Sequence, residues 1–157
     1  MFSRRRLVLS VAAFLAGLIA ALVWVREPTA PLTESLLAEA RQRWEQADIR
    51  NYSLRYRMHG SEYVVTVRGE SVDSVTVNGQ PSTSATPAAF GVPGLFETLA
   101  VELENRSDPA GPLAGQSETL LMRARFHPEL GYPERYIRSA GGGVRGASIE
   151  MLEFRRR

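Results

Sequence analysis

The sequence predicts an α+β fold. It is read as one extracytoplasmic domain, an antiparallel sheet of about six strands in the order α-β-β-β-α-β-β-β with two helices packed on one face, behind an N-terminal transmembrane helix. Three observations predict it. Apolar residues recur at helical spacing after Thr33 and again after Pro93. Between and beyond those stretches the alternation has period two. The run Leu7 to Val25, LVLSVAAFLAGLIAALVWV, carries no charge and one hydroxyl, Ser10.

That run is long enough for a membrane helix, which needs about 20 apolar residues, and a lone spanning segment can satisfy its backbone only as a helix. Arg4, Arg5 and Arg6 precede it. Their bias places residues 1–6 in the cytoplasm and the domain outside, as a single-pass protein of the cytoplasmic (inner) membrane with a periplasmic domain. Trp24 sits at the outer interface. The rival reading is a secretory signal, whose apolar core is about 7–15 residues long and ends in a small-residue cleavage site. Trp24-Val25-Arg26-Glu27 is a poor site of that kind, so the segment is expected to be an uncleaved signal anchor. Ser3 to Val8 also resembles a twin-arginine export signal. The chain has no cysteine, which excludes a lipoprotein anchor and disulfides.

Residues 26–32, with Pro28 and Pro31, read as a linker, and residues 33–157 as the domain. The basic balance of the whole chain misleads. There are 19 basic and 17 acidic residues, and without Arg4, Arg5 and Arg6 the count is 16 against 17. A nucleic-acid partner would need a basic excess in the domain itself, so none is expected.

Each element follows from local chemistry. Thr33 is a candidate N-cap and Glu34 suits the first turn of a helix. Leu37, Ala40, Trp44 and Ala47 then share a face, with Trp44 as the buried anchor. From Asn51 the period changes. Tyr52, Leu54, Tyr56 and Met58 alternate with Ser53, Arg55, Arg57 and His59, the pattern of a half-buried strand. A turn is expected at Gly60-Ser61, then a β-branched strand over 63–67, a break at 68–70, and a third strand over 72–77 closed by Asn78-Gly79. Residues 79–92 read as a mobile surface loop. Pro93 opens the second helix, whose Leu95, Phe96, Leu99 and Leu103 face inward and whose Glu97, Glu102 and Glu104 face outward. Three strands follow, at 120–127, from Tyr136, and over 149–154. Gly141-Gly142-Gly143 permits a hairpin and Arg155 to Arg157 form a tail.

The candidates for chemistry are few. His59 and His127 are the only histidines, and a zinc site draws on three or more His, Cys or carboxylate ligands. No serine sits in a Gly-x-Ser-x-Gly elbow, and the triple glycine lacks the lysine of a phosphate loop. The acid pairs Glu102/Glu104 and Glu150/Glu153 read as solvated faces. Arginine on the outward strand faces is the remaining feature: Arg55 with Arg57, and Arg123 with Arg125. If their strands are neighbours, four guanidinium forks form a face for anions, which bind such forks bidentately. A phospholipid head group, an acidic envelope polymer or an acidic partner protein would suit it. Gly131, Tyr132 and Pro133 are a second candidate, as a recognition turn.

Several of these stretches occur together in a known order. Trp44 with Ile49-Arg50-Asn51-Tyr52-Ser53, the valine strands ending at Val77-Asn78-Gly79, Leu95-Phe96, and Phe126-His127-Pro128-Glu129-Leu130-Gly131-Tyr132-Pro133 resemble the bacterial family catalogued as domain of unknown function 6174. The resemblance spans residues 36–155. It implies a small exported or membrane-anchored protein and supplies no catalytic residue. Many members carry a cysteine pair where this chain has Met58, His59 and Gly60, and acidic residues where it has Ser139, Gly141 to Gly143 and Ala147.

The function expected from the sequence is therefore a membrane-anchored cell-envelope protein whose outer domain binds or supports a partner without catalysis or cofactor. The alternatives are a small hydrolase or metal-dependent enzyme built on His59 or His127, and a scaffold subunit of an envelope complex.

Overall fold

The computed structural model describes residues 28–114, 120–139 and 146–157. The chain runs β1 (Ala30–Pro31), α1 (Glu34–Gln46), β2 (Tyr52–Met58), β3 (Ser61–Arg68), β4 (Ser71–Val77), β5 (Gln80–Pro81), a 3-10 turn (Pro87–Phe90), α2 (Val92–Ser107), β6 (Leu121–Phe126), β7 (Pro133–Ser139) and β8 (Ala147–Arg156). All eight strands form one antiparallel sheet in the order β1-β6-β7-β8-β2-β3-β4-β5. Two meanders lie side by side, and the C-terminal strand β8 joins them by pairing with β2. The long pairing closes the domain around its last residues.

This corrects the expected fold. The architecture is mostly β, with eight strands where six were expected. The two additional strands are two residues long and each contains a proline, Pro31 or Pro81. So short a pairing leaves no period in the sequence, and proline suits a sheet edge because it has no N–H to donate outward. The expected linker thus holds β1, and the expected mobile loop 79–92 holds β5 and the 3-10 turn.

The membrane reading is also corrected. No helix among the described residues is long and apolar enough to cross a membrane. The Leu7 to Val25 segment, like the Gly141 to Gly143 hairpin, lies outside the described residues. The single-pass anchor, and the inner-membrane and periplasmic placement drawn from it, are not carried forward.

Both helices cover the same face of the sheet. α1 starts where Thr33 Oγ1 accepts a hydrogen bond from Leu36 N at 3.2 Å, and it buries Leu37, Ala40 and Trp44. Trp44 meets Tyr52 edge-on with centroids 5.3 Å apart, and Phe154 at 5.9 Å. α2 has Gly91 at its N-cap, which offers no side chain. β2 supplies the missing partners. Tyr52 Oη accepts from Val92 N at 3.1 Å, and Tyr56 Oη donates to the Phe90 carbonyl at 3.3 Å. The alternation of β2 therefore does two jobs: it fills the core and it seats the start of α2.

The turns between β2, β3, β4 and β5 are all two residues with both φ positive: His59-Gly60, Gly69-Glu70 and Asn78-Gly79. That geometry matches the right-handed twist of the strands it joins. The first turn falls one residue before the expected Gly60-Ser61, because histidine is among the residues that tolerate the left-handed region.

Burial raises the phenol pKa of Tyr52, Tyr56 and Tyr136 above the ordinary 10.0, and pushes Tyr132 up to about 12, with Glu134 adding to the rise. For Tyr136 the carboxylate of Glu102 adds to burial. A raised folded-state pKa means that the contribution to stability is complete below pH 10.0 and is lost as pH rises through the folded values. Urea midpoints are therefore expected to hold up to about pH 9 and to fall steeply between about pH 10 and 12. Tyrosinate absorbance should rise together with unfolding. A midpoint that is flat across that window would contradict this account.

Candidate functional site

With one face of the sheet under the helices, the other is uncovered, and the alternation of each strand decides what stands on it. Met122 and Ala124 are buried, so Leu121, Arg123 and Arg125 of β6 point to the open side. Tyr136 is buried, so Arg135 and Ile137 of β7 do the same. Arg55 and Arg57 of β2, Glu62 of β3, and Glu150 and Glu153 of β8 complete the face.

The four arginines singled out from the sequence share this face without forming one cluster. β2 and β6 are separated by β8 and β7, a gap of three strand spacings, or about 14 Å. The two pairs also differ in their surroundings. Arg55 lies 3.7 Å from Glu62 and 3.9 Å from Glu153, and Arg57 lies 3.5 Å from Glu150 and 4.0 Å from Glu62. These side chains are about half exposed, so each pair is worth at most about 1 kcal/mol. Their charges are nonetheless matched locally.

The β6–β7 quarter is different. Glu134 sits 2.8 Å from Arg125 there. Arg123 directs Nε to the Thr29 hydroxyl at 3.0 Å and Nη2 to the Thr29 carbonyl, which holds β1 in place. Arg135 stands between Arg125 and Glu150 in the cross-strand register. Arg135 was missed in the sequence because residues 127–133 read as a turn-rich connection and the strand is expected only from Tyr136. Counting back with period two from Tyr136 puts Arg135 on the outward side, and a bulge at Glu134 lets β7 begin at Pro133. Beside these arginines Leu121 is 51% exposed.

The turn Gly131-Tyr132-Pro133 is built into the core. Tyr132 stacks on Phe154 at 4.4 Å, Pro133 is fully buried, and Gly131 lies against α1. His127 organises this turn: its Nδ1 accepts from Glu129 N at 3.3 Å and Leu130 N at 3.1 Å, and its carbonyl accepts from Gly131 N at 2.8 Å. His59 is in the β2–β3 turn. Since β2 and β6 are antiparallel to one another and both histidines follow the C-terminal ends of those strands, His59 and His127 lie at opposite ends of the sheet. Among the described residues no three His, Asp or Glu side chains come close enough together to hold a metal.

The helix side carries a cleft and a groove. A cleft of about 430 Å³ has Trp44, Tyr52 and Phe96 in its floor. Its rim is made of ion pairs that close on each other: Arg41–Glu97 at 3.0 Å, Arg50–Asp48 at 3.0 Å and Arg50–Glu70 at 3.5 Å. A groove of about 480 Å³ runs between α1 and α2, floored by Leu37, Ala38, Ala100 and Leu103 and bordered by Glu34, Arg41 and Glu104. No family model, curated protein or solved structure matches the chain.

Proposed function

We propose that the chain is a non-enzymatic binding domain whose open sheet face takes an acidic protein surface. The observation that carries this reading is the gathering of Arg123, Arg125 and Arg135 on adjacent strands of the open face. Guanidinium groups held on a rigid sheet are well suited to carboxylates, since their donors are already oriented. Leu121 beside them supplies an apolar contact. The placement of His59 and His127 at opposite ends of the sheet favours binding over a hydrolase or metal-dependent mechanism. Both sheet edges are short and carry proline, which favours contact through a face over strand addition.

Titration with a glutamate-rich peptide tests the reading. Binding should weaken with salt, because exposed charges are screened within about 10 Å at ~0.1 M. Arg125→Glu with Arg135→Glu should weaken it about tenfold or more, while Arg55→Gln with Arg57→Gln should leave it within about twofold. Equal binding by the reversed variant and the parent would end the proposal.

A further inference from the structure

The cleft on the helix side has the makings of a second site, independent of the open face. α1, β2, β3 and α2 all contribute to it, so its walls are regular elements packed on the core. Its volume of about 430 Å³ is that of a small-molecule pocket, and an apolar floor under a rim of a few polar groups is the usual lining of one. Trp44, Tyr52 and Phe96 in the floor are buried, while Ile49 is half-buried and Pro93 is exposed, so those two are the apolar walls a ligand reaches first. Among the described residues the rim holds four carboxylates, Glu45, Asp48, Glu70 and Glu97, against two guanidinium groups, Arg41 and Arg50. Both guanidinium groups are engaged, Arg41 with Glu97 and Arg50 with Asp48 and Glu70. Glu45 has no cationic partner among the described residues. Arg156 faces Tyr52 across β2 and β8 but does not line the cleft.

We infer that this cleft binds a small organic cation, an ammonium group carried on an aromatic or branched apolar body. The cleft already holds one cation of its own in this manner. The guanidinium carbon of Arg41 lies 5.7 Å from the centre of the Phe96 ring, and its Nη2 lies 3.0 Å from Glu97. A ring face and a carboxylate thus share one positive charge, the arrangement by which proteins hold ammonium ligands. Glu45, one residue after Trp44 on α1, adds a carboxylate that no internal cation satisfies. α1 ends beside the cleft at Gln46, and the negative end of its dipole favours a cation there. The same rim opposes an anion. It would have to displace Glu97 from Arg41, or Asp48 and Glu70 from Arg50, and would then meet those carboxylates at close range. An uncharged ligand would find the apolar walls but would leave Glu45 without a partner.

Ligand titrations followed by amide NMR spectra of the full-length chain test this. Benzyltrimethylammonium should shift the signals of residues 45–50 and 94–97, which border the cleft. Benzyl alcohol, an uncharged counterpart, and phenylacetate, an anionic one, should bind about tenfold or more weakly. Glu45→Gln keeps the shape of the side chain and should weaken the cation about threefold, and Glu45→Arg should weaken it about tenfold, the modest scale of an exposed charge. Glu45 is exposed, so both variants keep the fold, which circular dichroism verifies. Arg55→Gln with Arg57→Gln, on the other side of the sheet, should leave the titration unchanged. Equal affinity for the three probes overturns the inference, as does equal binding of the cation by the parent and Glu45→Arg, or an absence of shifts around the cleft. Tighter binding of N-acetyl-lysine amide than of benzyltrimethylammonium would assign the cleft to a protein side chain and overturn the small-molecule reading. The open face stands or falls separately, because its test turns on Arg125 and Arg135.

Discussion

Gly131→Ala is expected to cost about 3 kcal/mol or more, enough to unfold a marginal domain. Two effects add. Gly131 has φ +76°, where a side chain costs about 1–2 kcal/mol. A Cβ built there would also lie 2.1 Å from the carbonyl oxygen of Ala40 and 3.0 Å from Cβ of Arg43. That oxygen belongs to the middle of α1 and cannot withdraw without bending the helix, so the turn itself must lift. Lifting it strains the Gly131 N to His127 carbonyl bond of 2.8 Å and pulls Tyr132 off Phe154. Gly79→Ala is the matched control. Its φ is +80° and nothing lies within 4 Å of its Cβ, so it should cost only the backbone part, about 1–2 kcal/mol. Urea unfolding of the two variants separates the close approach from the backbone strain. Equal losses would mean that contact with α1 contributes nothing.

The same turn shows how far the sequence carried. Glycine before Tyr132-Pro133 announced a left-handed residue, and that is what the backbone has. Nothing local to the turn, however, encodes the helix that it touches, because Ala40 is 91 positions earlier in the numbering. Period two placed Tyr52, Leu54 and Tyr56 inward and Arg55 and Arg57 outward, as the burial of β2 has them. The order of strands in the sheet is a different matter. Whether Arg57 neighbours Arg125 depends on β8 returning to pair with β2, a long-range choice made by the whole core. Short pairings were also out of reach. Ala30–Pro31 and Gln80–Pro81 make two ladder partners each, too few to impose a pattern on composition. The candidate site suffered most from this. Its missing member, Arg135, was hidden by a bulge that offsets the register by one residue.

Glu102 is the second residue whose loss should be felt across the domain. In α2 it was grouped with Glu97 and Glu104 on the outward face, yet it lies three residues after Leu99 and seven after Leu95, at the margin of the buried stripe. There its Oε2 accepts from Tyr136 Oη at 3.0 Å and from Arg138 Nη1 at 2.6 Å. The Glu102 and Arg138 side chains are 15% and 14% exposed. α2 is thus fastened to β7 by a carboxylate, a phenol and a guanidinium in nearly water-free surroundings. Removing Glu102 takes a shared acceptor from both Tyr136 and Arg138. Glu102→Ala is expected to cost about 3 kcal/mol, at the low end of the range for breaking a buried ion pair, since the residual exposure relieves part of the loss. Glu102→Gln keeps an acceptor for Tyr136 and should cost less, about 1–2 kcal/mol. Glu102→Leu combined with Arg138→Met removes the charges on both sides and should recover most of the loss, because an apolar pair of similar volume often matches a buried ion pair. Urea unfolding of the parent, Glu102→Leu, Arg138→Met and the double variant gives the coupling energy directly. If the double variant were as unstable as the sum of its singles, the ion pair would not be what holds α2 to the sheet, and the fastening would have to be assigned to Leu95, Phe96 and Leu99, whose burial the substitutions leave untouched.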